Sequence, residues 1–285
     1  MIIFAHVLKN SILLFLCCFA IGANAQYHEV GIWGGAANYF GDLNPKFNWT
    51  QVRPAGGLFY RYNMSTRFAA KAAISYGEVQ FSDAATKIAR NRERNLSFKS
   101  SIADLSATIE FNFFKFDKTK KKFWFSPYLA TGVGMFFFNP KAEYNGKWYY
   151  LQPLGTEGQN DASYSGVKKY KLYAFHIPIE GGFKFSVYRN FNISIFASVK
   201  KTFTDYLDDV SGDYPATVSL PGGSRGIAAK LSDRSDEVLP ERIGKPGYQR
   251  GESKKNDDFV FVGVSISYTF MSMQCPWPAG PSTYR

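Results

Sequence analysis

Apolar and polar residues alternate with a period of two from Val260 to Phe270, the stretch VFVGVSISYTF. Val260, Val262, Val264, Ile266, Tyr268 and Phe270 fall on one side, and Gly263, Ser265, Ser267 and Thr269 on the other. That periodicity marks a β-strand with two unlike faces. Its length matches the roughly 9 to 11 residues that a tilted strand needs to cross the hydrocarbon layer of a membrane. In a soluble sandwich the apolar face would turn to the core; in a membrane barrel it turns to lipid, and the small polar face lines the interior. We read this stretch as the closing strand of such a barrel.

The same alternation predicts seven strands before it. The first, over 27–40, sets Val30 and Ile32 against Glu29, Gly31, Trp33 and Gly35. The second, over 55–62, turns Leu58, Tyr60 and Tyr62 outward and Arg61 inward. In the third, Phe68, Ala70, Ala72, Ile74 and Tyr76 alternate with Arg67, Lys71 and Ser75. The fourth opposes Ala103, Leu105, Ala107, Ile109, Phe111 and Phe113 to Asp104, Ser106, Thr108, Glu110 and Asn112. The fifth opposes Leu129, Val133, Met135 and Phe137 to Ala130, Gly132 and Gly134. The sixth carries Phe175, Ile177, Ile179, Phe183 and Phe185 outside with His176, Glu180 and Lys184 inside. The seventh carries Phe191, Ile193, Ile195, Ala197 and Val199 against Ser194, Ser198 and Lys200.

The connections alternate long and short. Residues 41–54, the polar stretch carrying Lys87, Arg90, Arg92, Glu93 and Arg94, residues 139–171 and residues 204–257 are long. Residues 63–66, 116–122 and 188–190 are short. An even number of strands with tight turns on one side and long loops on the other is the pattern of bacterial outer-membrane barrels. The expectation is an all-β chain, an eight-stranded antiparallel up-and-down transmembrane β-barrel over 26–270 with long extracellular loops. Its short turns and both termini would be periplasmic.

The face assignment has two consequences. Tyr62, Phe68, Phe111, Phe113, Phe123, Phe125, Phe183, Phe185, Phe191, Tyr268 and Phe270 gather beside the short turns, as an aromatic girdle at one membrane interface would. The inward charges nearly balance, with Glu29, Asp104, Glu110 and Glu180 against Arg61, Arg67, Lys71, Lys184 and Lys200. Eight strands leave an interior that side chains fill, so these charges must pair there as a network. The expectation is a plugged barrel and not a pore.

The N-terminus fixes the compartment. Lys9, the apolar run from Ile12 to Ile21 and the small-residue site Ala23-Asn24-Ala25 read as a signal peptide over 1–25. Cys17 and Cys18 leave with it, so Cys275, in a proline- and glycine-rich tail over 271–285, is the one cysteine retained, and no internal disulfide framework forms. The expected location is the outer membrane of a Gram-negative bacterium. Aromatics make up 18% of the chain, yet the mean hydropathy is −0.22, as alternating strands require. A formal charge of +11 would ordinarily raise nucleic acid as a partner. Export argues against it, and outer-membrane lipid and lipopolysaccharide phosphates are the expected counter-charge.

No catalytic, cofactor or metal constellation emerges, and no small-molecule substrate is expected. After the signal peptide only His28 and His176 remain as histidines; His176 has Glu180 as its interior neighbour and no serine arranged as a nucleophile. The acids Asp205, Asp208, Asp209 and Asp213 lack EF-hand spacing. The run from Pro221 to Gly226 lacks the Gly-Lys-Ser/Thr of a phosphate loop, and the N-x-S/T matches at Asn48, Asn63, Asn95 and Asn192 read as chance. The short turns offer a partner-binding surface at Asn63, Lys118, Lys120, Lys121, Lys122 and Arg189.

Several segments also carry a family resemblance. HEVGIWGGAANYFGDLNP (His28 to Pro45), RNLSFKSSIADLSATIEFNFF (Arg94 to Phe114), SPYLATGVG (Ser126 to Gly134), FHIPIEGGFKF (Phe175 to Phe185) and FTDYLDDVSG (Phe203 to Gly212) resemble the PorG-type outer-membrane barrel of the type IX secretion system. So does the cysteine just past the last strand, whereas the loops 139–171 and 220–257 depart from the family. The resemblance implies a non-enzymatic component of the secretion and gliding machinery. It would associate with the periplasmic ring of the PorK and PorN type (GldK and GldN in gliding bacteria), and the family brings no catalytic residues. The alternatives are a generic small barrel whose loops bind lipopolysaccharide or surface ligands and, behind it, an outer-membrane hydrolase.

Overall fold

The computed structural model describes residues 27–44, 51–116, 123–159, 168–188 and 190–271. Its strands are β1 (Tyr27–Phe40), β2 (Arg53–Asn63), β3 (Phe68–Ser82), β4 (Ser97–Asn112), β5 (Phe125–Tyr144), β6 (Lys147–Tyr150), β7 (Tyr173–Tyr188), β8 (Phe191–Thr202) and β9 (Asp258–Met271). Every pairing is antiparallel, in the order β4-β3-β2-β1-β9-β8-β7-β5, and β4 pairs with β5 to close the ring. The wall is therefore a closed eight-stranded barrel, and its first and last strands are joined from Tyr27 opposite Met271 to Phe40 opposite Asp258. Closure leaves no wall strand with an unpaired edge, which a hydrocarbon environment requires.

The period of two sorts side chains as the alternation predicts. Val262, Ile109 and Ile195, on three separate strands, are 44%, 48% and 50% exposed, whereas Ser265, Ser106 and Ser194 on the same strands are buried. Ile32, Leu58, Ile74, Val133 and Ile266 continue that exposed band around the wall. So much contiguous apolar surface is unstable in water and satisfied in lipid. At the short-turn end the band is edged by rings in mutual contact: Phe68 with Phe111, Phe111 with Phe113, Phe125 with Phe183, and Phe191 with Tyr268. The opposite end has its own edge of exposed Tyr76, Phe137 and Tyr173, which the sequence reading did not foresee.

Two strands run further than expected. The stretch after Tyr76 is largely strand, since β3 runs to Ser82 and pairs there with Ser97 of β4. Strand β5 continues past Phe137 to Tyr144 and turns back into β6 through Asn145 and Gly146. Both turn residues have positive φ, 50° and 74°, the pairing that a two-residue hairpin turn demands and that Asn-Gly supplies. The wall thus projects beyond the apolar band on the long-loop side. The signal peptide, Cys275 and the tail from residue 272 lie outside the described residues.

Ile109 stands inside the band, one outward position from Phe111 at its short-turn edge. Ile109→Arg is expected to destabilise the barrel by about 1 to 3 kcal/mol, between the cost of a cation at the interface and at the bilayer midplane. Urea unfolding in lipid vesicles measures this, with Ile109→Val as the near-neutral control; equal stability of the two variants would contradict a lipid-facing Ile109.

Candidate functional site

The short-turn half of the lumen is an ion network. Glu29 of β1 meets Arg61 of β2 at 2.6 Å, and Arg61 reaches Glu110 of β4 at 2.8 Å. Glu110 also meets Lys71 of β3 at 3.4 Å and pairs with Lys184 of β7. Lys71 in turn pairs with Glu180, which accepts a 2.8 Å hydrogen bond from the Tyr128 hydroxyl. Ser267 of β9 donates to Glu29. Alternation supplies these groups because every one sits at an inward position of its strand. Burial of a charge is costly unless it is both paired and hydrogen-bonded, and here each is.

One level higher, Asp104 accepts from His176 Nε2 at 2.5 Å and from Lys200 Nζ at 3.2 Å. Lys200 also reaches the Ser106 hydroxyl at 3.5 Å. The imidazole packs against Phe136 and Phe259. Gly134 makes room for it, since a Cβ there would stand 2.3 Å from the ring. His176 is thus a partner of a buried acid, surrounded by aromatics. Above it the inward residues turn aromatic: Trp33, Phe59, Phe98, Phe136, Phe138, Phe259 and Phe261 form one buried cluster. What remains open among Trp33, Arg61, Lys71, Glu180 and Phe261 is a cavity of about 30 Å³, room for about one water.

The long loops close the mouth. They carry helices α1 (Ala89–Arg94), α2 (Leu151–Leu154) and α3 (Ile227–Ser232). Leu43, Leu96, Leu151, Leu207 and Leu231, contributed by four different loops, join the aromatic cluster. Arg94 pairs with Asp83 at 2.8 Å and donates to the carbonyl of Arg250 at 3.1 Å. Arg250 is itself buried, 2.8 Å from Glu157, and donates to the Asp209 carbonyl at 2.6 Å. Glu157 accepts the amides of Ser211 and Gly212. Asp209 accepts from the Thr156 and Tyr170 hydroxyls.

Asp208 and Asp257 converge on one hydroxyl. Their oxygens lie 2.5 and 2.8 Å from the Tyr39 hydroxyl, which has one proton to donate, so one of the two acids must donate in return. Burial raises both well above the ordinary carboxylate range, and neighbouring acids push the same way. Burial likewise brings Asp209 to about 6 and Asp205 to about 7. Of the acids that suggested a cation loop, Asp208 and Asp209 are held by separate structural bonds, and among the described residues no three metal-ligating side chains converge.

Arg67 departs from expectation. It is exposed at the turn before β3, where its guanidinium donates to the Phe113 carbonyl at 2.8 Å, and takes no part in the interior network. Alternation misplaces it because the strand pairing begins only at Phe68. Its removal leaves the lumen with Glu29, Asp104, Glu110 and Glu180 against Arg61, Lys71, Lys184 and Lys200, an even balance. Asn63, read as a partner contact, turns its amide inward to Glu29 at 3.3 Å. Lys118, Lys120, Lys121, Lys122 and Arg189 lie outside the described residues. His28 stands on the outer face, its Nδ1 2.5 Å from the Tyr60 hydroxyl.

A closed eight-stranded wall with an apolar outer band and a filled, charge-balanced lumen defines a small barrel of the outer-membrane class. The chain belongs to the family described as Domain of unknown function (DUF6089), whose profile it matches over residues 8–224. No curated protein matches the sequence. Among solved structures the chain is similar to Ail, the attachment invasion locus protein of Yersinia pestis, crystallised with the heparin analogue sucrose octasulfate. The identity is 10% and the TM-score 0.40, covering 87% of this chain and 100% of that one. It is also similar to Neisserial surface protein A, at 10% identity and a TM-score of 0.38 over 87% and 99% of the two chains. OprG of Pseudomonas aeruginosa matches at 9% identity and 0.34 over 87% and 97%. The fold assignment here rests on the chain's own closed ladder.

Two outcomes follow from this geometry. Glu110→Gln leaves Arg61, Lys71 and Lys184 short of an anion and is expected to cost about 3 to 5 kcal/mol in vesicle unfolding. Adding Lys184→Met should recover part of the loss; a change below about 1 kcal/mol would show that the network carries no stability. The dome should respond to pH. Its acids hold protons when folded that they would release when opened, because their folded pKa values exceed the ordinary value of about 3.9. Dome stability is therefore greatest at or below about pH 4 and falls as pH rises through about 6 and 7. Proteolysis of the long loops, normalised to an unfolded substrate, should be slower at pH 5 than at pH 8, and Asp208→Asn should flatten the difference; cleavage independent of pH would refute it.

Proposed function

We propose that this protein is a non-enzymatic anchor or scaffold in the outer membrane, a component of the type IX protein secretion and gliding machinery that associates with the periplasmic ring of the PorK and PorN type. The observation that carries the reading is that, among the described residues, the lumen is filled by paired charges and aromatic rings, with a cavity of about 30 Å³ between them and bonded loops above. What remains available for function is the outer surface and the two ends. The segments that resemble the PorG-type barrel fall in β1, β4, β5 and β7, and in 203–212, the loop that supplies Asp205, Asp208 and Asp209 to the dome.

In this reading the short turns face the periplasm and dock the ring through the basic residues Lys118, Lys120, Lys121, Lys122 and Arg189. A docking surface of one charge sign speeds encounter and fixes orientation more than it adds affinity. A second reading, a barrel whose loop end holds lipopolysaccharide, is favoured by one feature. Trp148 on β6 is exposed between the ammonium groups of Lys99 and Lys141, at 5.7 and 5.3 Å, on the loop side of the apolar band.

Photo-crosslinkers placed at Thr119 and Asn190 in the short turns separate the two readings. Adducts with a periplasmic ring protein in intact cells are expected from these positions and not from Lys147 on β6. Adducts with lipopolysaccharide from Lys147, and none with protein from either turn, would reject the scaffold role in favour of the second reading.

A further inference from the structure

A cleft of about 480 Å³ opens on the outside of the wall at the short-turn end, where β3, β4 and β5 meet. Among the described residues its lining consists of aromatic rings and the two cations Arg67 and Lys115, with no carboxylate. Two backbone bonds build it. Asn112 donates to the Arg67 carbonyl at 2.7 Å and Phe116 to the Thr66 carbonyl at 3.0 Å, which ties the end of β4 to the turn before β3 and brings the cations to one side. Arg67 spends one N–H on the Phe113 carbonyl, which steadies the guanidinium and leaves further donors of its fork for a ligand.

The depth of the cleft identifies the ligand. Phe113 and Phe125 on its membrane side belong to the aromatic edge, through contacts with Phe111 and Phe183. Such an edge marks the boundary between acyl chains and headgroups. Phe114 and Trp124, 55% and 53% exposed, stand one residue beyond that boundary, beside the cations. A free anion would use the cations but not the rings, and an apolar chain would use the rings but not the cations. We propose that this cleft is a binding site for an anionic glycerophospholipid, with the headgroup phosphate on Arg67 and Lys115 and the acyl chains along Phe113 and Phe125. The site does not depend on the secretion reading, because lipid surrounds the barrel whatever its partners are.

The test is native mass spectrometry of the full chain in neutral detergent with equimolar phosphatidylglycerol and phosphatidylcholine. Phosphatidylglycerol adducts should dominate. Each cation at a lipid surface contributes about fivefold in affinity, so Arg67→Gln with Lys115→Gln should weaken phosphatidylglycerol binding about 30-fold. Arg67→Lys with Lys115→Arg should retain binding, and Arg90→Gln with Arg92→Gln, on exposed α1, should change nothing. Where heat-modifiable migration shows that the double variant fails to fold, Lys115→Gln alone should show the fivefold loss. Equal binding of the two lipids, unchanged binding in the folded variant, or displacement of the lipid by equimolar inorganic phosphate would overturn the proposal.

Discussion

Glu110 meets Arg61, Lys71 and Lys184 at one point in the lumen, and the arrangement of the wall follows from keeping those charges together. Lipid surrounds the barrel, so an inward charge without a partner has no water to turn to. The Glu110 network and the Asp104 cluster above it together touch every strand of the ring: Glu29 on β1, Arg61 on β2, Lys71 on β3, Asp104 and Glu110 on β4, Tyr128 on β5, Glu180 and Lys184 on β7, Lys200 on β8 and Ser267 on β9. A slip of one residue between any two strands would carry a charged side chain from this network to the lipid face. The ion pairs therefore act on register as much as on stability, and the narrowness of an eight-stranded barrel is what brings them within reach of one another.

The wall was legible in the sequence because its rule is local. On β4 and β9 each residue's face follows from its neighbours alone, and Asp104, Glu110, Ser265 and Ser267 all lie where the period of two puts them. The rule gave a wrong result where a strand had not yet begun, at Arg67, and an incomplete one where the lumen changes character. Phe259 and Phe261 share the inward face of β9 with Ser265 and Ser267, yet they belong to the aromatic cluster, with Lys200 over the Phe261 ring at its lower edge. Nothing in alternation distinguishes an aromatic plug from a second apolar face.

The dome was not legible, for a different reason. Its bonds join Glu157 to Arg250, Asp208 to Tyr39 and Asn95 to Glu237, pairs separated by about a hundred residues or more along the chain. Each of these side chains reads alone as an ordinary polar loop residue. The cluster of aspartates drew attention as a cation site because acids so close together would repel if ionised. The resolution lies in protonation and hydroxyl donors, with Tyr39 and Tyr170 supplying what a cation would otherwise supply. A loop that buries acids in this way trades solubility at its surface for a mouth that stays shut while those protons are held.

Charge balance inside the wall also decides where the protein's net charge acts. Among the described residues four acids offset four bases in the lumen, so the lumen adds nothing to the net charge of +11. A field from the lumen would be confined by the surrounding low-dielectric lipid, whereas one from the ends and the headgroup zone acts on whatever approaches in water. The dome takes up acids as well as bases, among them Asp83, Asp208, Asp209 and Glu157. The short-turn end instead gathers Arg67 and Lys115 beside exposed rings. Positive charge placed at an interface, next to apolar surface, attracts anionic groups at the membrane surface, and it is there that a barrel with a filled lumen can still form contacts.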